Sequence, residues 1–298
     1  MRRYKRRVLL GAAAGTTCAL GLLVLLGSHT ARPPRTPVPS QSSQPSRPPQ
    51  PAAVAHAPAG PLANVVVILD PGHGGQDPGT VCGQTSEAAL TYRTATEVSA
   101  ALRAKGADVV YTVRSRQLDP TLAIVEPPPT RPADAVLAAT GLPLRERHSP
   151  RPLWERAQVA RTVWERRVRW DAGARRNVFF VSLHFDQFSS PTVSGSVVCV
   201  DRRVRHVPAL GAALAAQMET GNFGRNSDYK GLRGVSGHEL GVLNPERNPV
   251  PEKVLLELAT LSNPQDALQA SNPAWRDEMA RRITAAVILV HQQKALPR

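Results

Sequence analysis

Five short apolar runs stand out after residue 63, and each has the length and composition of a buried β-strand. The first, residues 65–69, is continuous and β-branched, which is typical of a strand that is covered on both faces. Similar runs predict strands at 108–113, 177–184, 195–200 and 252–261.

Between these runs, apolar residues recur at three- and four-residue steps, which indicates amphipathic helices. The clearest such segment, 86–106, starts with a serine and a glutamate and ends with a lysine and a glycine, as helices commonly do. Further helices are predicted at 152–170, 208–220 and 273–293. Because strands alternate with helices, we expect an α/β domain with a twisted, mostly parallel sheet and helices on both faces.

One long stretch, residues 115–150, interrupts this alternation. It is rich in proline, and only its segment 133–140 predicts a short helix. A loop of this length in a compact domain is usually functional or disordered. Since it follows a strand whose carboxyl end should lie on the ligand side of the sheet, we expect this insertion to border a cleft and restrain access to it.

The first 62 residues are predicted to form a leader and a linker ahead of the folded domain. Residues 1–27 join a basic start to a run of 20 uncharged residues, the pattern of an export signal that is also long enough to span a bilayer. A cleaved signal and an uncleaved membrane anchor both fit, and we favour the anchor. Residues 28–62 are rich in proline and serine and predict an extended linker. The folded domain is therefore expected at 63–298, on the periplasmic side of the cell envelope.

Charge and cysteine content narrow the class of protein. The formal net charge is +14, but eight of the 37 basic residues and none of the 23 acidic residues fall in the first 62 positions, so the folded part is only mildly basic. Aromatic residues make up 4% of the chain, and we therefore expect no nucleic-acid partner. Cys82 and Cys199 either pair in an oxidising compartment or remain small buried side chains, and the sequence leaves both options open.

Four residues that carry chemistry fall at or near the ends of the predicted elements. His73 lies in a glycine-rich loop after the first strand, Glu87 begins the first helix, and His184 ends a later strand. Glu257 lies inside the last apolar run, where a charge is costly unless a metal, a proton or a partner compensates it. Catalytic zinc takes three protein ligands and a water, whose proton a nearby carboxylate can accept. Two interpretations fit these residues. Either they form a zinc site together, or each has an ordinary structural role as a surface side chain, a core side chain or the partner of an arginine.

The motifs LDPGHGGQDPG, SEAALTYRTATEVSAAL, PLWERAQVAR, NVFFVSLHFD and VLLELATLSNPQDALQASNPAW occur in this order. With them the chain resembles the zinc-dependent N-acetylmuramoyl-L-alanine amidases, the cell-wall amidases of the Amidase_3 type. The resemblance implies one Zn²⁺ and cleavage of the amide between N-acetylmuramic acid and L-alanine of the stem peptide. It matches His73, Glu87 and His184 to the zinc ligands. It matches Glu257 to the catalytic glutamate of a catalytic domain at 63–298.

Some features depart from the family or leave its function open. Phe185 stands where the family usually has alanine, and we expect it to narrow the floor of the site. A zinc metallopeptidase that cuts within the stem peptide would share the metal site, and a non-catalytic wall-binding module would keep the fold without metal. Peptidoglycan is the expected partner, with the membrane a second partner through the N-terminal segment. The sequence does not identify an activator protein.

Overall fold

The computed structural model describes residues 60–74, 77–83, 85–115, 136–138, 151–170, 173, 177–218 and 221–295. The leader predicted at 1–27 lies outside these residues, as do most of the linker at 28–62 and of the insertion at 115–150. Within the described part, no helix combines the length and the hydrophobicity that crossing a membrane requires.

The elements largely follow the predicted order. The strands are β1 (Val66–Pro71), β2 (Val81–Cys82), β3 (Thr85–Ser86), β4 (Asp108–Tyr111), β5 (Val113–Ser115), β6 (Val136–Ala138), β7 (Val178–Asp186), β8 (Val197–Asp201), β9 (Asp228–Tyr229), β10 (Leu232–Arg233), β11 (Val235–His238) and β12 (Glu252–Thr260). The helices are α1 (Glu87–Ala104), α2 (Arg151–Trp170), α3 (Ala209–Gln217), α4 (Asn222–Asn226), α5 (Pro264–Ser271) and α6 (Pro273–Ala295). A 3₁₀ turn spans Gly241–Leu243.

A central sheet of six strands has the order β11-β8-β12-β7-β1-β4. All neighbours in it run parallel except β12 and β8, which are antiparallel. The pairs β2–β3, β5–β6 and β9–β10 form separate two-stranded ribbons. The prediction of a mostly parallel sheet is confirmed.

Both faces of the sheet are buried by helices. Along β1, Val67 and Leu69 belong to an apolar cluster with α1, α3 and α6. Val66 and Ile68 face the other way, into a cluster with α2 and the 3₁₀ turn. A strand with apolar side chains on both faces reads as a continuous apolar run, which is why its sequence pattern was clear.

Two local predictions differ from the structure. The strand expected at 108–113 is divided at Thr112, whose hydroxyl donates to the buried carboxylate of Asp70. The short helix expected at 133–140 is wrong where the structure describes it, because 136–138 form β6 and pair antiparallel with β5. Three consecutive apolar residues suit either conformation, and here the strand partner decides.

Two further expectations concern where the linker ends and whether the two cysteines pair. Leu62, the last residue assigned to the linker, is fully buried, and its amide donates to the carbonyl of Lys105 at 2.9 Å. Cys82 and Cys199 are free thiols. Cys199 lies in the cluster beneath α2, whereas Cys82 packs against the cluster on the opposite face, so they do not pair in this structure.

Candidate metal centre

The loop after β1 places His73 at the carboxyl edge of the sheet. The amide of Gly72 donates to the carbonyl of Leu183 on β7 at 2.9 Å, and Gly74 then pairs with Asp77 across a tight reversal. Between these contacts His73 has a φ of 58°, in the left-handed region that residues with a Cβ rarely occupy. The chain therefore turns sharply at His73.

The three side chains predicted as metal ligands converge at this edge. Oε1 of Glu87 lies 3.0 Å from Nε2 of His73 and 3.2 Å from Nδ1 of His184. The candidate ligand atoms of the three residues all lie within 4.8 Å of one another. Within the described ranges, this is the only cluster of at least three His, Cys, Asp or Glu side chains with that spacing.

Two glycines allow this close approach. A Cβ at Gly72 would lie 2.4 Å from Cε1 of His184, and a Cβ at Gly79 would lie 2.6 Å from Oε2 of Glu87. Both distances are shorter than van der Waals contact, so a larger residue would displace a candidate ligand. Gly79 also has a φ of 65°, which glycine adopts without steric cost.

The cluster keeps a negatively charged carboxylate between two imidazoles. Burial acts to raise the pKa of Glu87, but hydrogen bonds from His184 and His73 outweigh it and hold that pKa well below its ordinary value. The amide of Thr80 donates to Oε2 of Glu87 at 3.0 Å. Burial likewise acts to lower the pKa of His73, but the adjoining Glu87 carboxylate reverses this and raises it. A carboxylate that stays charged in a partly buried site attracts a positive ion.

Asp77 supports His73 from its far side. Its Oδ2 lies 2.9 Å from Nδ1 of His73, and its Oδ1 accepts a hydrogen bond from the amide of Gly79 at 3.0 Å. A carboxylate on one ring nitrogen fixes the ring and leaves the other nitrogen to face a metal, as is common for metal-binding histidines. The sequence analysis missed Asp77, although a carboxylate four residues after a candidate ligand histidine is a readable signal.

Glu257 lies beside the cluster, on the neighbouring strand. It is paired with His184 in the register of β12 and β7, and the next pair, Thr260 with Asp186, shows that a β-bulge follows it. Its Oε2 is buried and has no hydrogen-bond partner among the described residues. Burial, followed by the charges of Asp186 and Glu87, raises the pKa of Glu257 well above its ordinary value. The side chain therefore favours holding a proton.

The expectation that Phe185 narrows the floor of the site is wrong. Its side chain is only 2% exposed and belongs to the apolar cluster with α1 and α6, where its ring faces Trp275. Successive strand residues point to opposite faces, so Phe185 points away from His184. The backbone of Phe185 does contribute, because its amide donates to Oε1 of Glu87 at 3.0 Å.

A buried ion pair beneath the loop was also missed. Nη1 of Arg156, on α2, lies 2.8 Å from Oδ1 of Asp70 at the end of β1, and both side chains are at least 95% buried. The hydroxyl of Ser182 donates to the other Asp70 oxygen at 2.6 Å. The motif PLWERAQVAR contains Arg156, but nothing in the sequence indicates which carboxylate this arginine meets.

The mostly parallel sheet with helices on both faces defines an α/β protein. Its polar cluster lies beyond the carboxyl ends of the strands, which is the usual position of a ligand site in that class. Residues 67–288 match the Amidase_3 family, described as N-acetylmuramoyl-L-alanine amidase. The chain therefore belongs to this family of cell-wall amidases, and the resemblance seen in its motifs is confirmed.

Individual relatives are distant in sequence. The germination-specific N-acetylmuramoyl-L-alanine amidase of Bacillus subtilis is 22% identical over 237 residues, which cover 80% of this chain and 84% of the relative. The crystal structure of the amidase Ami1 from Mycobacterium smegmatis has a TM-score of 0.53 at 20% identity, covering 78% of this chain and 99% of that one. An amidase structure from Clostridium difficile 630 has a TM-score of 0.51 at 19% identity, covering 76% and 95%. At these identities the structures share the fold.

Proposed function

We propose that this protein hydrolyses the amide bond between N-acetylmuramic acid and L-alanine in peptidoglycan. In this proposal His73, Glu87 and His184 hold one zinc ion, and Glu257 is the general base. The observation that carries it is the convergence of the three candidate ligands next to a carboxylate oxygen that has no partner among the described residues. Membership of an amidase family supports the choice of bond.

The donor set fits catalytic zinc. Two imidazoles and one carboxylate are a ligand set of catalytic zinc sites, which keep a further position open for water or substrate. The low pKa of Glu87 keeps its carboxylate deprotonated, as a ligand must be. Asp77 holds His73 with Nε2 directed to the cluster. Zinc bound in such a site supplies Lewis acidity, which polarises water and the substrate carbonyl.

Glu257 would move the proton during hydrolysis. Burial favours the protonated form of this carboxyl, and a positive charge held by the neighbouring ligands would favour the carboxylate instead. As the carboxylate, its Oε2 accepts a proton from the attacking water. The same carboxyl then donates the proton to the amide nitrogen of L-alanine as the C–N bond breaks. The products are a free carboxylate on the muramic acid and a stem peptide with a free amino terminus.

The substrate requires the protein to reach the cell envelope. The predicted leader at 1–27 would export the chain and anchor it in the membrane, and the linker at 28–62 would tether the catalytic domain at 63–298. All four residues of the proposed site lie in this domain and among the residues that the structure describes.

Product analysis on purified peptidoglycan tests the proposed bond. A chain that begins at Val54, the start of the compact unit Val54–Arg298, would be incubated with peptidoglycan, and the soluble products identified by mass spectrometry. We expect intact stem peptides that begin with free L-alanine. Glu257→Gln is the matched control and should release none.

Other products would contradict the proposal in distinct ways. Peptides cut within the stem, with L-alanine still joined to muramic acid, would indicate a metallopeptidase. Binding to peptidoglycan without any release, by a protein that also lacks zinc, would indicate a wall-binding module.

A further inference from the structure

Three successive carbonyl groups, from the last residue of β1 to His73 in the loop, each receive a side-chain hydrogen bond. The guanidinium of Arg156 donates to the carbonyl of Pro71 through Nη1 and to that of His73 through Nη2. Between them, the hydroxyl of Thr91 donates to the carbonyl of Gly72 at 2.9 Å. Carbonyls that are shielded from water need donors, and at the end of β1 these two side chains provide them.

Arg156 is itself held rigidly. It is 4% exposed, and the Nη1 that donates to the loop also donates to Asp70 at 2.8 Å. Asp70 is fixed in turn by the hydroxyls of Ser182 and Thr112. A guanidinium presents its donors in one planar fork. The contact with the Asp70 carboxylate therefore sets the direction of the donors that meet the His73 loop.

The contact with the His73 carbonyl bears on metal binding. The left-handed backbone of His73 is strained for a residue with a side chain, and such a conformation persists only where its surroundings determine it. Arg156 acts on that residue directly and on Pro71 two positions earlier. We infer that Arg156 is a positioning residue that fixes the backbone of His73 and thereby sets the affinity of the site for zinc. This inference rests on the proposed function.

Two variants test whether Arg156 acts by positioning the His73 backbone, as distinct from supplying a positive charge or stabilising the fold. Arg156→Lys keeps the positive charge but loses the fork that reaches two carbonyls and Asp70 together. The double variant Arg156→Met with Asp70→Asn removes both charges, so no buried charge is left unpaired. Arg276→Lys is the matched control, because Arg276 is also a buried arginine that donates to a carboxylate, Glu97, and to a carbonyl, that of Ala270, and its described contacts lie outside the His73 loop.

The measurement is the zinc dissociation constant, obtained by competition with a chelator, with circular dichroism and thermal unfolding as tests of folding. A metal-independent readout is the amide hydrogen exchange of Gly74, whose amide donates to the Asp77 carbonyl within the loop. We expect both Arg156 variants to bind zinc about 10–100-fold more weakly, the loss typical of outer-shell residues. Exchange at Gly74 should be faster in both, and Arg276→Lys should match the wild type in both readouts.

The outcomes are distinguishable. Wild-type zinc affinity in a folded Arg156→Lys, or in the double variant if the lysine variant does not fold, would overturn the positioning role alone. Equal weakening in Arg276→Lys would also overturn it, since the effect would then follow the general stability of the fold. A wild-type protein that binds no zinc would overturn this inference together with the proposed function.

Discussion

Replacing Glu257 with glutamine separates proton transfer from metal binding. Glutamine keeps the size of the side chain but cannot accept the proton, and Glu257 lies outside the cluster of candidate ligands. We expect the variant to keep its zinc and to lose about 10²–10⁴-fold in kcat, the usual contribution of a general base. This corresponds to about 3–5.5 kcal/mol of activation free energy. Zinc content and turnover on a soluble muropeptide are the two measurements.

The same substitution should change stability with a definite dependence on pH. The pKa of Glu257 is raised in the folded state, so the folded protein binds this proton more tightly than the unfolded chain does. Wild-type stability from this group is therefore full below the ordinary value of 4.5 and is lost as the pH rises through the folded pKa. At pH values above the folded pKa, each unit by which folding raises the pKa of Glu257 lowers the free energy of unfolding by about 1.4 kcal/mol. Glutamine does not titrate, so the metal-free variant should gain on the wild type as the pH rises.

Glu252 offers a control on the same strand. Glu252 is buried, and its carboxylate accepts a hydrogen bond from the amide of Leu210 at 2.8 Å and pairs with Lys294 at 2.9 Å. Glu252→Gln should therefore lower the free energy of unfolding and leave turnover unchanged.

The assignment of Glu257 as the general base is refuted if Glu257→Gln retains near wild-type turnover. Loss of zinc together with activity would make Glu257 a ligand instead of a base.

Three further predictions concern the loop, the insertion and the leader. His73→Ala removes one of three proposed ligands, so metal analysis should find it zinc-poor and inactive; a full zinc equivalent would show that the loop is only a turn. Deleting 118–147 should raise activity on small muropeptides or change the substrate range, because the insertion leaves the sheet next to Thr112, which contacts Asp70; unchanged kinetics on every substrate would contradict this. Residues 8–27 should keep the protein in the membrane fraction, with a proline-rich tether that reaches roughly 90 Å; a soluble mature protein that starts near residue 31 would disprove the anchor.

The sequence by itself determined the features that depend on local pattern. Continuous apolar runs indicated strands buried on both faces, and amphipathic periodicity with a capping serine at residue 86 indicated α1. His73, Glu87 and His184 could be named because each occurs at or near one end of a predicted element. Parallel strands bring their carboxyl ends to one edge, and the motifs matched a known family.

Only the tertiary structure decided which distant groups meet. The pairing of Arg156 with Asp70 joins residues 86 positions apart, and no local pattern specifies such a contact. The packing of Phe185 against Trp275 depended on where α6 lies relative to β7, which no pattern along the strand specifies. The segment at 136–138 became a strand because β5 supplied a partner. These features depend on packing between elements, and packing free energy is a property of the folded chain and not of any single segment of it.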